Sequence, residues 1–150
     1  MNYPILARLL GAILAMIAAA QGLCFLVGVG EALRGREDHA MCPLGFAFLI
    51  TATTAAMLIV IGWKAKVSQL LRKEAVAVVG LGWLTAAFFG SLPFVLCEGR
   101  LTWSQAFFES MSGFTTTGST VIVDIESLPN AILLWRSLTQ WVGGLGILAL

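Results

Sequence analysis

Charged residues are scarce in this sequence, where Lys, Arg, Asp and Glu together make up only 11% of the 150 residues. Soluble domains carry about 25% charged residues, so a water-exposed surface of ordinary composition is excluded. Histidine is limited to His39, and the three cysteines lack the paired spacing of zinc or redox motifs. A net charge of +1 leaves no basic footprint for nucleic acid. The sequence therefore predicts no enzyme, no organic cofactor and no nucleic-acid partner.

Apolar residues are abundant and account for 59% of the chain. A chain of this length cannot bury so much apolar surface in a core of its own, and membrane lipid is the natural solvent for the excess. Three charge-free stretches each hold 22 to 24 residues, and a bilayer core of ~30 Å needs about 20 helical residues. They predict transmembrane helices at about 6–30, 43–63 and 75–97, and a further apolar run predicts a fourth helix at 130–150.

The loop between the second and third predicted helices is basic. Residues 64–74 contain four basic residues and one acid, whereas residues 98–130 contain one arginine and four acids. Lysine and arginine are enriched in the cytoplasmic loops of membrane proteins. The asymmetry predicts a cytoplasmic loop at 64–74, a cytoplasmic N-terminus, and an outer location for 98–130.

The outer segment begins with a short helix at 102–112. Thr102 is a suitable N-cap, and Gln105 stands three residues later, where a capping box requires it. About eleven residues span ~16 Å, roughly half of a membrane, which is typical of a helix that enters the bilayer and stops inside it. Gly113 is the expected stop at the carboxyl end.

Residues 113–120, here called the filter segment, are rich in threonine, serine and glycine. The β-branched run Thr115-Thr116-Thr117 favours extended backbone, and Gly118 permits φ values that other residues avoid. Such a stretch at membrane depth is tolerated only where it is buried in protein or lines a watery path. The negative end of a helix dipole precedes it, so its carbonyl oxygens suit a dehydrated cation. A simple glycine–threonine turn is the alternative interpretation.

Two ionisable residues accompany the filter segment. Glu109, on the short helix, either attracts cations or hydrogen-bonds within the unit and orients the filter segment. Arg136, in the fourth helix, either extends to the outer surface or forms an ion pair with Glu109, Asp124 or Glu126. The two loop acids can also concentrate cations at an outer mouth.

The stretch AFFESMSGFTTTGSTVI, followed by SLPNAILLWRSLTQWVGGLGI, resembles the first pore unit of TrkH-type subunits in the Trk/Ktr/HKT superfamily of potassium transporters. The resemblance implies a potassium-channel-like fold with four covalently linked helix–pore loop–helix units around one filter. Gly118 matches the single glycine of the family's loops. The backbone carbonyls of Thr116 and Thr117 would then contact K⁺, flanked by Thr115, Gly118 and Ser119, with Glu109, Arg136 and Gly113 in support. The family also implies a cytosolic nucleotide-binding regulatory subunit.

Together these observations predict an all-α integral membrane protein with two leading transmembrane helices in 1–74 and one helix–pore loop–helix unit in 75–150. The expected function is potassium uptake across a bacterial inner membrane by a multi-pass protein. The chain ends inside its fourth helix, so we expect a truncated transporter that needs three more pore units, or further copies of itself. The alternative is a truncated, non-conducting helical membrane protein or assembly partner.

Overall fold

A computed structural model describes residues 3–35, 41–64, 72–97 and 101–149. Within these ranges the chain forms five helices and no strand, which confirms the predicted all-helical fold class. The helices are α1 (Tyr3–Leu33), α2 (Met41–Ile61), α3 (Arg72–Leu96), α4 (Trp103–Phe114) and α5 (Asn130–Ala149). His39, most of the basic loop, and the charged residues at 36–38 and 98–100 lie outside the described residues.

Helix α3 begins earlier than its charge pattern indicates. Arg72–Glu74 were expected in the basic loop but form the first turn of α3. Glu74 is only 4% exposed, and an acidic residue in the first turn is favourable because the helix dipole is positive there. A charge therefore marks the edge of the apolar run rather than the end of the helix. Similarly, α1 extends three residues beyond each predicted end.

Three of the helices are long and apolar enough to cross a membrane: α1, α2 and the Glu74–Leu96 part of α3. Helix α5 has 20 residues but is less apolar, because it contains Arg136, Thr139 and Gln140. Large apolar side chains remain exposed on the outside of the bundle, among them Phe46, Val60, Val76, Trp141 and Leu145. Lipid or further protein can cover such surface, and the chain is an all-helical membrane protein.

Helices α1 and α2 form an antiparallel pair that packs closely at glycines. A Cβ at Gly11 would lie 2.9 Å from the Ile59 side chain, and one at Gly62 would lie 2.5 Å from Arg8 Cβ. Helix α1 also packs against α3 and α5, and α4 packs against the same two helices. The short helix is therefore held between α3 and α5, with Phe114 and Trp135 among the largest fully buried side chains.

Candidate functional site

The short helix α4 begins with the predicted capping box. The Thr102 hydroxyl accepts a hydrogen bond from Gln105 N at 3.4 Å, and the Gln105 side chain accepts one from Thr102 N at 2.9 Å. Each side chain thus satisfies a backbone N–H that the helix leaves free. The buried face of α4 includes Ala106, Glu109 and Ser110. Its 12 residues span about 18 Å at 1.5 Å per residue.

The carboxyl end of α4 differs from the prediction. Gly113 was expected to stop the helix, but α4 includes Gly113 and ends at Phe114, so the first two residues of the filter segment are helical. The reason is tertiary: a Cβ at position 113 would collide with the Thr139 hydroxyl of α5. Glycine is needed at this position because two helices approach closely, and not because the backbone must turn.

The helix ends instead in a Schellman motif built on threonine. Thr117 N donates to Ser112 O at 3.0 Å, and Thr116 N donates to Gly113 O at 2.9 Å. In this pattern the first of the two donor residues has a left-handed backbone conformation and is usually glycine. Here that residue is Thr116, whose φ is 58°. A β-branched residue in this conformation is strained, and such strain is concentrated at functional sites.

Beyond the motif the backbone is neither helix nor strand, and three of its carbonyl oxygens accept no hydrogen bond from the part of the chain that the structure describes. Gly118 also has a positive φ, 76°, and residues 115–120 are exposed. Among the described residues, none donates a hydrogen bond to the carbonyl oxygens of Thr116, Thr117 or Gly118. Backbone carbonyl oxygens are strong hydrogen-bond acceptors, and these three are available to a ligand. The segment therefore presents a row of carbonyl oxygens just beyond the negative end of α4.

Two side chains of α4 hold the segment as it returns. The Ser112 hydroxyl donates to Ser119 O at 2.6 Å. One oxygen of Glu109 accepts hydrogen bonds from Thr120 Oγ1 at 3.0 Å and from Val121 N at 3.1 Å. These bonds fix the loop to its own helix after the free carbonyl oxygens, and the Thr117 N bond to Ser112 O fixes it near their start.

The second oxygen of Glu109 lies 2.7 Å from Arg136 Nε of α5. The Glu109 side chain is 1% exposed and that of Arg136 is 22% exposed, so most of the pair is removed from solvent. Of the alternatives left open by the sequence, the structure contains the ion pair. One carboxylate therefore connects α4, the returning loop and α5.

Helix α5 approaches the end of α4 through small residues. A Cβ at Gly143 would collide with the Phe114 carbonyl oxygen, whereas one at Gly144 would have only Thr116 Cγ2 within reach, at 3.9 Å. Trp135 contributes a T-shaped contact with the Phe114 ring, at 6.4 Å between ring centroids. The backbone of α5 is therefore in direct contact with the last turn of the short helix.

The predicted site residues are thus brought together, but sequence reasoning missed several residues that support them. Ser112 and Thr139 were not singled out, and Thr120 was expected only as part of the filter segment, although each makes a hydrogen bond or close contact at the site. Hydroxyl groups within or beside an apolar, half-membrane helix need partners, and this was the available signal. Asp124 and Glu126 are exposed and form no ion pair with Arg136 among the described residues.

The donor set of the site is backbone rather than side chain. No group of three or more His, Cys, Asp or Glu side chains that could hold a metal is found in the described part of the chain. Hard monovalent cations are coordinated by rings of carbonyl oxygens. The filter segment therefore offers free carbonyl oxygens as candidate cation ligands.

Known proteins match both the sequence and the fold. The TrkH family, described as cation transport protein, matches residues 44–150. The Trk system potassium uptake protein TrkI of Halomonas elongata is 35% identical over 147 residues, which cover 98% of this chain and 28% of that protein. The Trk system potassium uptake protein TrkH of Escherichia coli strain K12 is 47% identical over 83 residues, which cover 55% of this chain and 17% of that protein.

A solved structure matches nearly the whole chain. The crystal structure of the potassium transporter TrkH from Vibrio parahaemolyticus superposes with a TM-score of 0.84 at 34% identity. The match covers 98% of this chain and 30% of that one. The chain thus spans less than a third of the length of the relatives described here.

Proposed function

We propose, from the premise that this chain belongs to the TrkH family of cation transport proteins, that it forms one quarter of a potassium filter. Carbonyl oxygens of Thr116 and Thr117 would coordinate K⁺, with Thr115, Gly118 and Ser119 beside them. The proposal depends on one observation: these carbonyl oxygens are free, and they follow the negative end of α4. Carbonyl oxygens can replace the hydration shell of a potassium ion.

A single loop cannot surround an ion, so further loops are required. The exposed position of residues 115–120 agrees with a segment that faces other pore units. The relatives are more than three times as long as the matched segment, which leaves room for such units in one longer chain. We propose that three further units, or further copies of this one, complete the filter.

Glu109 has a positioning role in this proposal. Its carboxylate is enclosed by Arg136, Thr120 and Val121, so it does not contact the transported ion. It holds the returning loop against α4 and α5. The positions of the free carbonyl oxygens would therefore be fixed. Asp124 and Glu126 are exposed, and at the proposed outer mouth they would raise the local cation concentration.

The membrane setting completes the proposal. The chain would lie in a bacterial inner membrane as a multi-pass protein with lipid around α1, α2 and α3. The basic segment at 64–74, whose last three residues form the first turn of α3, would face the cytoplasm together with the N-terminus. By family analogy, a cytosolic nucleotide-binding subunit would regulate the complete transporter. The 75–150 region would be the pore unit, and 1–74 would be a pair of leading helices.

The test uses a chimera in which this chain replaces the matching segment of the Vibrio parahaemolyticus transporter. Uptake of Rb⁺ and of Na⁺ is measured in a host that lacks potassium uptake. Gly118→Ser should lower the ratio of Rb⁺ to Na⁺ uptake by about tenfold or more, because serine is unfavourable at a φ of 76°.

Gly30→Ser is the matched control. A Cβ at Gly30 has no other atom within 4 Å among the described residues, and its φ is not positive. This variant should leave the uptake ratio unchanged. An unchanged ratio in Gly118→Ser, in a chimera that reaches the membrane, would contradict the proposed filter.

A further inference from the structure

Helix α3 contains a proline in its interior. Pro93 is fully buried and lies four residues after Phe89. Proline has no N–H, so the Phe89 carbonyl cannot accept the main-chain hydrogen bond that the helix would otherwise supply. An unpaired carbonyl inside a membrane protein is costly, because lipid offers no donor. The turn that precedes Pro93 therefore requires a donor from elsewhere.

Helix α1 supplies that donor. Gln21 is 0% exposed, and its Nε2 donates to Phe89 O at 3.0 Å across 68 residues of sequence. A carbonyl oxygen only accepts, which fixes the orientation of the amide. The next carbonyl in the turn, Gly90 O, accepts a hydrogen bond from Trp135 Nε1 at 3.0 Å. Adjacent carbonyls of α3 are thus satisfied by side chains from α1 and α5.

The other half of the Gln21 amide, its oxygen atom, is in an unfavourable environment. Its Oε1 is buried and has no hydrogen-bond partner among the described residues. A buried polar atom without a partner is destabilising, and an apolar side chain of similar size would avoid it. The amide at position 21 is therefore explained by its donor alone.

The turn of α3 that accepts the hydrogen bond from Gln21 also packs against α4. A Cβ at Gly90 would lie 2.5 Å from both Phe114 Cε2 and Ser110 Oγ. Gly90 thus contacts the last turn of α4, where the filter segment begins. We infer that Gln21 is a positioning residue, which supplies the hydrogen bond that Pro93 removes and so holds α3 against the carboxyl end of α4. The consequence for ion selectivity rests on the proposed function.

A double-mutant cycle in the chimera tests the inference. Gln21→Met removes the donor at similar size, and Pro93→Ala restores an N–H that can satisfy Phe89 O within α3. The thermal unfolding midpoint is measured in detergent for each variant and for the double variant. Gln21→Met should lower the midpoint by several degrees when residue 93 is proline. It should leave the midpoint unchanged or raise it when residue 93 is alanine. An equal loss in both backgrounds overturns the inference.

Thr51→Val is the matched control for loss of a buried hydrogen bond. Thr51 is 0% exposed, and its hydroxyl donates to Ala47 O at 2.8 Å within α2, so its effect should not depend on residue 93. If Pro93→Ala fails to fold, this control still tests the inferred role of Gln21. In that case, a midpoint for Gln21→Met no lower than that for Thr51→Val overturns the inference.

The uptake assay separates this inference from the proposed function. Gln21→Met should lower the ratio of Rb⁺ to Na⁺ uptake severalfold, and adding Pro93→Ala should restore it. A helix contact with no role in positioning would change the amount of folded protein but leave the ratio alone. If the unmodified chimera takes up no Rb⁺, the proposed function fails, while the unfolding cycle still decides the role of Gln21.

Discussion

Replacing Glu109 with glutamine disrupts the contact that joins the pore loop to α5. The carboxylate accepts hydrogen bonds from Arg136 Nε at 2.7 Å, Thr120 Oγ1 at 3.0 Å and Val121 N at 3.1 Å. Glutamine has one oxygen, so its NH₂ group must face at least one of these donors. The perturbation is therefore more than the loss of a charge, because a donor then meets a donor in a buried place.

The magnitude follows from the burial of the pair. Removing one partner of a fully buried ion pair costs about 3–5 kcal/mol. The Arg136 side chain is 22% exposed, so solvent screens part of the arginine charge that Glu109→Gln leaves unpaired. We expect Glu109→Gln to lower the free energy of unfolding by about 2–3 kcal/mol, close to the value of one hydrogen bond to a charged group.

Titration of the chimera with SDS measures this difference. Asp124→Asn is the matched control, because Asp124 is exposed and a surface change of this kind is worth less than about 0.5 kcal/mol. A charge swap, Glu109→Arg with Arg136→Glu, provides a second test. It restores the ion pair but removes the acceptor for Thr120 and Val121, so stability should not recover. Full recovery by the swap, or equal effects of Glu109→Gln and Asp124→Asn, would refute the reasoning.

Two further predictions concern the last turn of α4. Gly143→Ala should abolish Rb⁺ uptake by the chimera because its Cβ would collide with the Phe114 carbonyl oxygen. Gly144→Ala should be tolerated because its Cβ would make only an ordinary van der Waals contact, with Thr116 Cγ2 at 3.9 Å. Equal uptake by the two variants would contradict the packing described. Thr116→Gly should raise the free energy of unfolding by about 1 kcal/mol by relieving a left-handed threonine, yet lower the ratio of Rb⁺ to Na⁺ uptake. Thr117→Gly should lower stability, because that residue has no positive φ, and a gain there would argue against the strain at Thr116.

The fold was largely predictable because the bilayer imposes a length on every helix that crosses it. The charge-free runs located α1, α2 and α3, and the capping residues Thr102 and Gln105 located the start of α4. The ends of helices were less predictable. Arg72–Glu74 form the first turn of α3 although they are charged, and of these residues Glu74 suits the positive end of the helix dipole.

The details of the site depended on contacts between helices, which local sequence does not encode. A glycine at position 113 resembles a helix stop signal, but the close approach of Thr139 is the reason that glycine is needed there. Thr116 favours extended backbone by propensity, yet it occupies the left-handed position of the Schellman motif. The Glu109–Arg136 pair could be proposed from charge alone, whereas the bonds to Thr120 and Val121 required the course of the loop.

The most direct test of the proposed filter is a crystal structure of the chimera grown in Rb⁺, with anomalous scattering used to locate the ion. We predict an anomalous peak on the pore axis in contact with the carbonyl oxygens of Thr116 and Thr117. A peak confined to the exposed acids Asp124 and Glu126, or no peak beside these carbonyl oxygens in a folded pore, would contradict that prediction.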